Sequence, residues 1–366
     1  MHTDKNVEKI RIISTILVII GHCSFYTIKT SIPGMGYDLS SIVIDSTNFH
    51  HILDKIVQGI YMFHMQLFIF LSGIVYEICI SKGKYNNFKE FVLSKGKRLV
   101  LSYLIITFAY NIPIYYHAGY FGDDITKNVF LYIVGFGKNH LWFLVALFEI
   151  FIVINGLRLI VQKKYFYWTI SVVAVLSFCI ARLSNEMLLE LCYIDRFISY
   201  LPWFIFGMIV KHKVIFLNNR IELSIVSKVI SCKNNFVFHL LGSLIMVFIY
   251  YLWGIKHVPL TGTMIPFVVI LWLTALANTS ETDVICKSKF GKLINKYSLE
   301  LYLYGAPLNY LIFMAIRMNT QGTVNINLAS SIMLVILRFA VQLVVPILIA
   351  KIVILIKDSR INHNVA

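Results

Sequence analysis

The sequence predicts an all-α polytopic membrane protein with about ten transmembrane helices and both termini in the cytoplasm. Three observations predict it. First, 58% of the 366 residues are hydrophobic and 14% are charged, against about 25% charged in ordinary soluble domains; the mean hydropathy is +0.76. Single soluble cores stop growing near ~250–300 residues, so this much apolar surface excludes a soluble globular enzyme, and it equally excludes disorder. Second, the chain divides into apolar runs near the ~20 residues that span a bilayer as a helix. Third, its basic residues fall unevenly between alternate loops, as they do in membrane proteins.

The spans are expected, in order, at 10–28, 56–80, 98–116, 140–161, 165–182, 198–210, 236–254, 263–280, 297–317 and 328–356. The first run holds Arg11 at its start and His22 inside it, with no small-residue cleavage site after it, so it is expected to be retained rather than removed as a signal peptide. The sixth is short and contains Pro202, and it is expected to recruit flanking residues. Connections are short and no repeat is visible, so residues 1–366 are expected to form one integral-membrane domain. With the N-terminus inside, 24 of the 33 Lys and Arg residues fall on the cytoplasmic side. The +15 net charge is thus read as topology and not as a nucleic-acid footprint. The six cysteines, Cys23, Cys79, Cys179, Cys192, Cys232 and Cys286, lack a CxxC pair and read as small apolar residues.

Ionisable residues inside spans are costly and mark candidate sites. Here they are His22, His64, Glu149, Arg338 and Glu300, with His140 at an outer boundary and Glu77 near an inner one. Arg11 precedes His22 by eleven residues, which brings both to one helix face about 16 Å apart along the axis. A cation at the inner mouth and a titratable base deep in the same stripe suit a reaction reaching into the membrane; a histidine satisfied by a neighbouring helix is the alternative. His64 is expected at a depth like that of His22, where the two could relay a proton. No zinc signature accompanies them, and no metal is expected. Glu149 and Arg338 are expected to form a buried ion pair, with Glu300 as a competing partner for the arginine; Glu149 assisting His22 is the functional alternative. On the cytoplasmic side, residues 82–98 hold six cations. Lys95, Lys97 and Arg98, at the mouth of the third span, are best placed to bind phosphates. No Walker, GxGxxG or GxSxG motif is present in the right context, which argues against an ATP-driven pump.

Several segments resemble the membrane acyltransferase 3 family, in its sugar O-acetyltransferase branch. Arg11 followed by His22 resembles the family's first span. Phe68-Ile69-Phe70-Leu71-Ser72-Gly73 resembles its second. Lys95-Gly96-Lys97-Arg98 is similar to its basic-x-x-Arg element, with Ser102 where a Pro usually follows. His140-Leu141-Trp142-Phe143-Leu144, Phe204-Ile205-Phe206-Gly207 and Ser298-Leu299-Glu300-Leu301-Tyr302-Leu303 resemble three further elements in order. Gly305 stands where the family often has His. Some members carry an additional extracytoplasmic domain; this chain ends soon after its last span and is expected to be a stand-alone form.

The resemblance implies an enzyme of the bacterial cytoplasmic membrane. It implies transfer of an acyl group, usually acetyl, from cytosolic acyl-CoA to a hydroxyl of a cell-envelope glycan or lipid-linked sugar. Acyl-CoA would be a substrate rather than a tightly bound cofactor. His22 would act as general base or accept the acyl group transiently. Arg11, Lys95, Lys97 and Arg98 would hold the CoA phosphates, and His140 and Trp142 would shape the acceptor site. His64 and Glu149 are candidates for orienting His22. Buried ionisable residues among ten spans also suit a transporter or flippase of lipid-linked sugars, and a glycan polymerase is a third reading.

Overall fold

A computed structural model describes residues 5–24, 27–30, 32–38, 43–45, 47–136, 139–183, 191–217, 261–277, 282–319 and 324–363. The described helices are α1 (Lys5–His22), α2 (Phe49–Tyr61), α3 (His64–Ser81), α4 (Phe88–Arg98), α5 (Val100–Ile106), α6 (Ile112–His117), α7 (Ile125–Ile133), α8 (Trp142–Ile160), α9 (Phe166–Leu183), α10 (Ile194–Leu217), α11 (Thr261–Ala277), α12 (Asp283–Lys287), α13 (Lys289–Lys296), α14 (Ser298–Asn319) and α15 (Leu328–His363). Four three-residue strands accompany them: β1 (Thr27–Lys29), β2 (Gly36–Asp38), β3 (Val43–Asp45) and β4 (Val324–Ile326).

Among the described residues, six helical segments are long and apolar enough to cross a membrane: Phe49–Ser81, Phe88–His117, Trp142–Ile160, Leu191–His212, Ser298–Ile316 and Leu328–Ile356. The protein is a helical membrane protein. The described residues confirm six of the ten expected spans by length, and the span expected at 236–254 lies outside them. The expected sixth span is longer than its apolar core: α10 takes in flanking residues on both sides and continues through Pro202. Two other boundaries move. The first helix ends at His22 rather than near residue 28, and β1 follows. The second span is divided at Met62-Phe63 into α2 and α3.

Between α5 and α6, residues Thr107–Asn111 form one π turn. Pro113 explains it. Proline has no N–H and crowds the carbonyl four residues back, so the ladder is rerouted: Ile112 N–H donates to Thr107 O, five residues back. The buried Thr107 and Asn111 lie on this turn.

The chain forms two compact units, both of which draw on separate stretches of sequence. Unit one comprises Met1–Ser14, Tyr61–Leu104 and Val134–Ser288. Its core joins Val7 and Ile10 to Leu67, Phe70, Leu71 and Ile74, and these to Val210, Val269, Ile270 and Leu273. At its centre α3 and α10 cross at two glycines. A Cβ on Gly73 would lie 2.1 Å from Phe204 O, and a Cβ on Gly207 would lie 2.1 Å from Phe70 O. Only glycine permits this approach, and its α-hydrogen can then face the carbonyl as a weak Cα–H···O contact. The two contacts are reciprocal, and Glu77 on α3 meets His212 on α10 about one turn beyond them on both helices, so the helices run parallel. Nearby, Lys9 donates to Ala277 O at the end of α11 (2.9 Å) and pairs with Asp283.

Unit two comprises Thr15–Ile60, Ile105–Ile133 and Lys289–Ala366. Its last helix is polar inside and apolar outside. Ser331, Arg338 and Gln342 are buried on one face, while Met333, Ile336 and Leu337 are exposed. That inversion suits a helix whose outer solvent is lipid. Strands β1 and β2 pair antiparallel, and β3 pairs parallel with β4. The loop before β2 is docked where Gly36 N–H donates to Tyr120 O (2.9 Å). Gly122, at φ +57°, abuts Gly34 O so closely that a Cβ would lie 2.2 Å from it. Tyr115 lies between Tyr120, Tyr132 and Tyr310, with ring centroids 4.9–5.6 Å away.

Two outcomes follow from unit one. Gly73→Ala or Gly207→Ala forces the α3–α10 backbones apart and is expected to cost about 1–3 kcal/mol, read as a lower melting temperature in detergent. The Lys9 hydrogen bond, with the nearby lysine charges, holds the Asp283 carboxyl below the usual carboxylate range. The stabilisation is therefore complete above the ordinary value of about 4 and is lost as pH falls through the depressed one. Asp283→Asn is expected to flatten the acid limb of melting temperature against pH.

Candidate functional site

His22 is the last residue of α1, half-buried, and the helix end around it is built from three other helices of unit two. The last carbonyls of a helix have no partner within it and carry its partial negative charge. At α1, Arg338 of α15 supplies the partner: its Nη2 donates to His22 O at 2.9 Å. Its Nε donates to Asn309 Oδ1 of α14 at 2.8 Å, and its guanidinium lies 4.9 Å from the Phe313 ring centre. Gln342, one turn beyond Arg338, donates to Asn309 Oδ1 and to Cys23 Sγ, both at 3.3 Å. On α2, Asp54 is hydrogen-bonded to the Ser24 side chain and lies within electrostatic range of His50, His51 and Arg338. The chain after His22 is thus tied at Cys23 and Ser24 as well.

The expected carboxylate partner of Arg338 is replaced by an amide oxygen and a backbone carbonyl. Among the described residues no ion pair joins Glu300 to Arg338, and Glu149 belongs to unit one and Arg338 to unit two. The helix end offers the buried cation negative charge, and Asp54 on α2 lies within electrostatic range of it. Gly305, at the position where the family often has His, faces Gln342: a Cβ there would lie 3.8 Å from Gln342 Oε1.

Unit one holds the cationic cluster. Arg11 is half-buried on α1 and lies within electrostatic range of Glu8 and Arg98. Arg98 ends α4, and it and Lys97 are exposed. Asn87 begins that helix by accepting from Glu90 N–H, and the basic residues fall in the last turn, where the dipole favours them. Lys95 differs from its neighbours. Its ammonium sits 4.3 Å from the Phe151 ring centre, 4.9 Å from Tyr85 and 5.6 Å from Phe91. It also donates to Tyr85 OH (3.4 Å). Tyr85 has φ +66°, a conformation rare outside glycine. Arg158 of α8 holds it there, donating to Tyr85 O and to Asn86 Oδ1. So the structure brings Arg11, Lys95 and Arg98 together in one unit and gives Lys95 an aromatic cage.

A second group in unit one surrounds the start of α8. Asn139 holds the turn before it, its Oδ1 accepting from Leu141 N–H (3.0 Å), and His140 is half-buried in that turn. The Trp142 ring lies 4.9 Å from Tyr200 and 5.5 Å from the Arg196 guanidinium, both on α10. Arg196 is paired with Asp195 (3.1 Å). Glu149, two turns after Trp142, lies within electrostatic range of Asp195. Among the described residues its Oε2 is a buried oxygen without a hydrogen-bond partner. His64 opens α3, buried, with its ring edge-on to Tyr61 at 4.5 Å.

The sequence reading missed one cluster. Glu77 Oε1 accepts from Tyr167 OH (2.6 Å) and lies 3.0 Å from His212 Nδ1, whose ring stacks on Tyr167 at 3.7 Å. Glu77 stood out as an acidic residue near a span boundary. His212 falls between Lys211 and Lys213 just past the expected sixth span, and no local signal joins it to Glu77.

The model of the acyltransferase 3 family, described as an acyltransferase domain, matches residues 4–351. No curated protein and no solved structure matches the chain.

Proposed function

The chain belongs to the acyltransferase 3 family, and on that premise we propose that it moves an acetyl group from cytosolic acetyl-CoA to a hydroxyl of a cell-envelope carbohydrate. The acceptor is an extracytoplasmic glycan or a lipid-linked sugar, and the enzyme works in the bacterial cytoplasmic membrane. One observation carries the reading beyond the family: Arg11 and Arg98, far apart in sequence, come within electrostatic range of each other. Glu8 offsets part of their repulsion, and the phosphates of CoA would add the anionic charge that two arginines at one mouth are suited to bind. In this reading Arg11, Lys97 and Arg98 meet the phosphates. Lys95 adds charge from its cage and fixes the loop through Tyr85.

His22 then works as a general base. It takes the proton of the acceptor hydroxyl as the oxygen attacks the thioester carbonyl. The tetrahedral intermediate expels the CoA thiolate, the C–S bond breaks, and the proton passes from His22 to sulfur. A new O-acyl ester and free CoA result. His140 and Trp142 shape the acceptor side, where Trp142 and Tyr200 offer rings to a sugar face. His64 and Glu149 serve as orienting groups. The transporter or flippase reading finds no support in the family match, and nothing in it requires Arg11 to meet Arg98.

Two substitutions test this. His22→Ala should lower acyl transfer by about 10²–10⁴-fold while the protein remains folded in the membrane; NMR of the envelope carbohydrate would show the acetyl signals lost, and retained signals would sink the role of His22. Arg98→Ala should raise the KM for acetyl-CoA by about tenfold or more, the worth of one charge-assisted hydrogen bond. An unchanged KM would remove Arg98 from the donor site.

A further inference from the structure

We propose that Arg338 is a positioning residue for His22, holding the end of α1 in the bearing that acyl transfer needs. The inference rests on the acyltransferase reading above and adds to it a residue from the last helix.

Arg338 is fully buried within the first third of α15. A buried cation is expensive, and well-packed apolar residues often replace one with no loss of stability. Closing the end of α1 does not by itself call for a charge. Cys23 N–H already tightens the last turn by donating to Ile20 O (3.0 Å), and a neutral donor could cap His22 O. What a guanidinium adds is direction. Its nitrogens lie in one rigid plane, and two of them are committed along different axes, one to His22 O and one to Asn309 Oδ1. Phe313 packs against the guanidinium. Asn309 Oδ1 also accepts from Gln342, which reaches Cys23 Sγ. The same four side chains therefore grip two consecutive residues, His22 and Cys23, at the point where the helix stops. A histidine at a frayed helix end would sample many bearings, and small misplacements at a reacting centre cost large factors in rate. Arg338 touches the backbone of His22 and acts through it.

The test uses the full chain in native membranes, with labelled acetyl-CoA as donor and label recovered in envelope carbohydrate. Arg338→Gln and Asn309→Leu should each lower kcat by about tenfold or more while the KM for acetyl-CoA stays within about twofold. Arg338→Lys, which keeps a cation but loses the fork, should recover only part of kcat. Cys23 reports on the clamp independently of activity: it is buried in the intact protein and should become open to a maleimide in Arg338→Gln. Where Arg338→Gln does not fold, Asn309→Leu decides, since it keeps the cation and its bond to His22. Unchanged kcat in the folded variants, or a rise in KM for acetyl-CoA in place of a fall in kcat, would overturn the inference while wild-type transfer upholds the acyltransferase reading. No transfer by the wild-type chain would overturn both.

Discussion

Where α3 and α10 cross, two backbones meet with no side chain between them, and the rest of unit one is arranged around that contact. Each helix presents a glycine to the carbonyl of a phenylalanine three residues before the other glycine. The contact fixes distance, register and direction together, because a shift by one residue would put a side chain where only hydrogen fits. Tyr76 and Phe204 then pack at 5.6 Å, and Tyr76 reaches across to Asn155 on α8 with its hydroxyl (2.8 Å). About one turn on, Glu77 is delivered to His212. In lipid, where apolar side chains gain little by meeting one another, close backbone approach of this kind is a main source of helix association.

Two segments of the family resemblance acquire a physical meaning from this crossing. Phe70-Leu71-Ser72-Gly73 and Phe204-Ile205-Phe206-Gly207 share one pattern because each is the other's socket. Neither would stand out from its apolar neighbours without its partner. The same holds for the polar side of the last helix. Ser331, Arg338 and Gln342 recur on one face, and their value lies in what α1 and α14 bring against them.

The sequence made the apolar helices legible wherever a run was long and uninterrupted, as in α8, α9, α14 and α15. It was least legible where a distant residue decides a boundary. The first helix stops at His22 although apolar residues continue, and the residue that caps it is Arg338, in the last helix. Glu149 and Arg338 looked like complementary charges at similar depth. The structure gives the arginine a helix end and leaves Glu149 beside Asp195, because backbone partial charges are invisible to a reading of side chains. Of the candidate site, the spacing of Arg11 and His22 and the basic mouth of α4 were readable locally. The aromatic cage of Lys95 was not, since its rings come from the loop before α4, from α4 itself and from α8.

The π turn at Thr107–Asn111 has a bearing on how this family can change length. Such a turn is an α-helix holding one residue too many. Every side chain after it is rotated by about 100° from the face an unbroken helix would give it, and Asn111 and Tyr115 face Tyr132 by virtue of that rotation. Removing one residue between Thr107 and Asn111 would keep the segment helical and apolar, so it would still insert. It would close the π turn into regular α-helix and leave Tyr115 on the face it has now, whereas a residue gained or lost elsewhere in the segment would turn Tyr115 away from Tyr132. A change of length in this span is thus constrained by phase and not by thickness, and the π turn is the one place in it that absorbs a single residue.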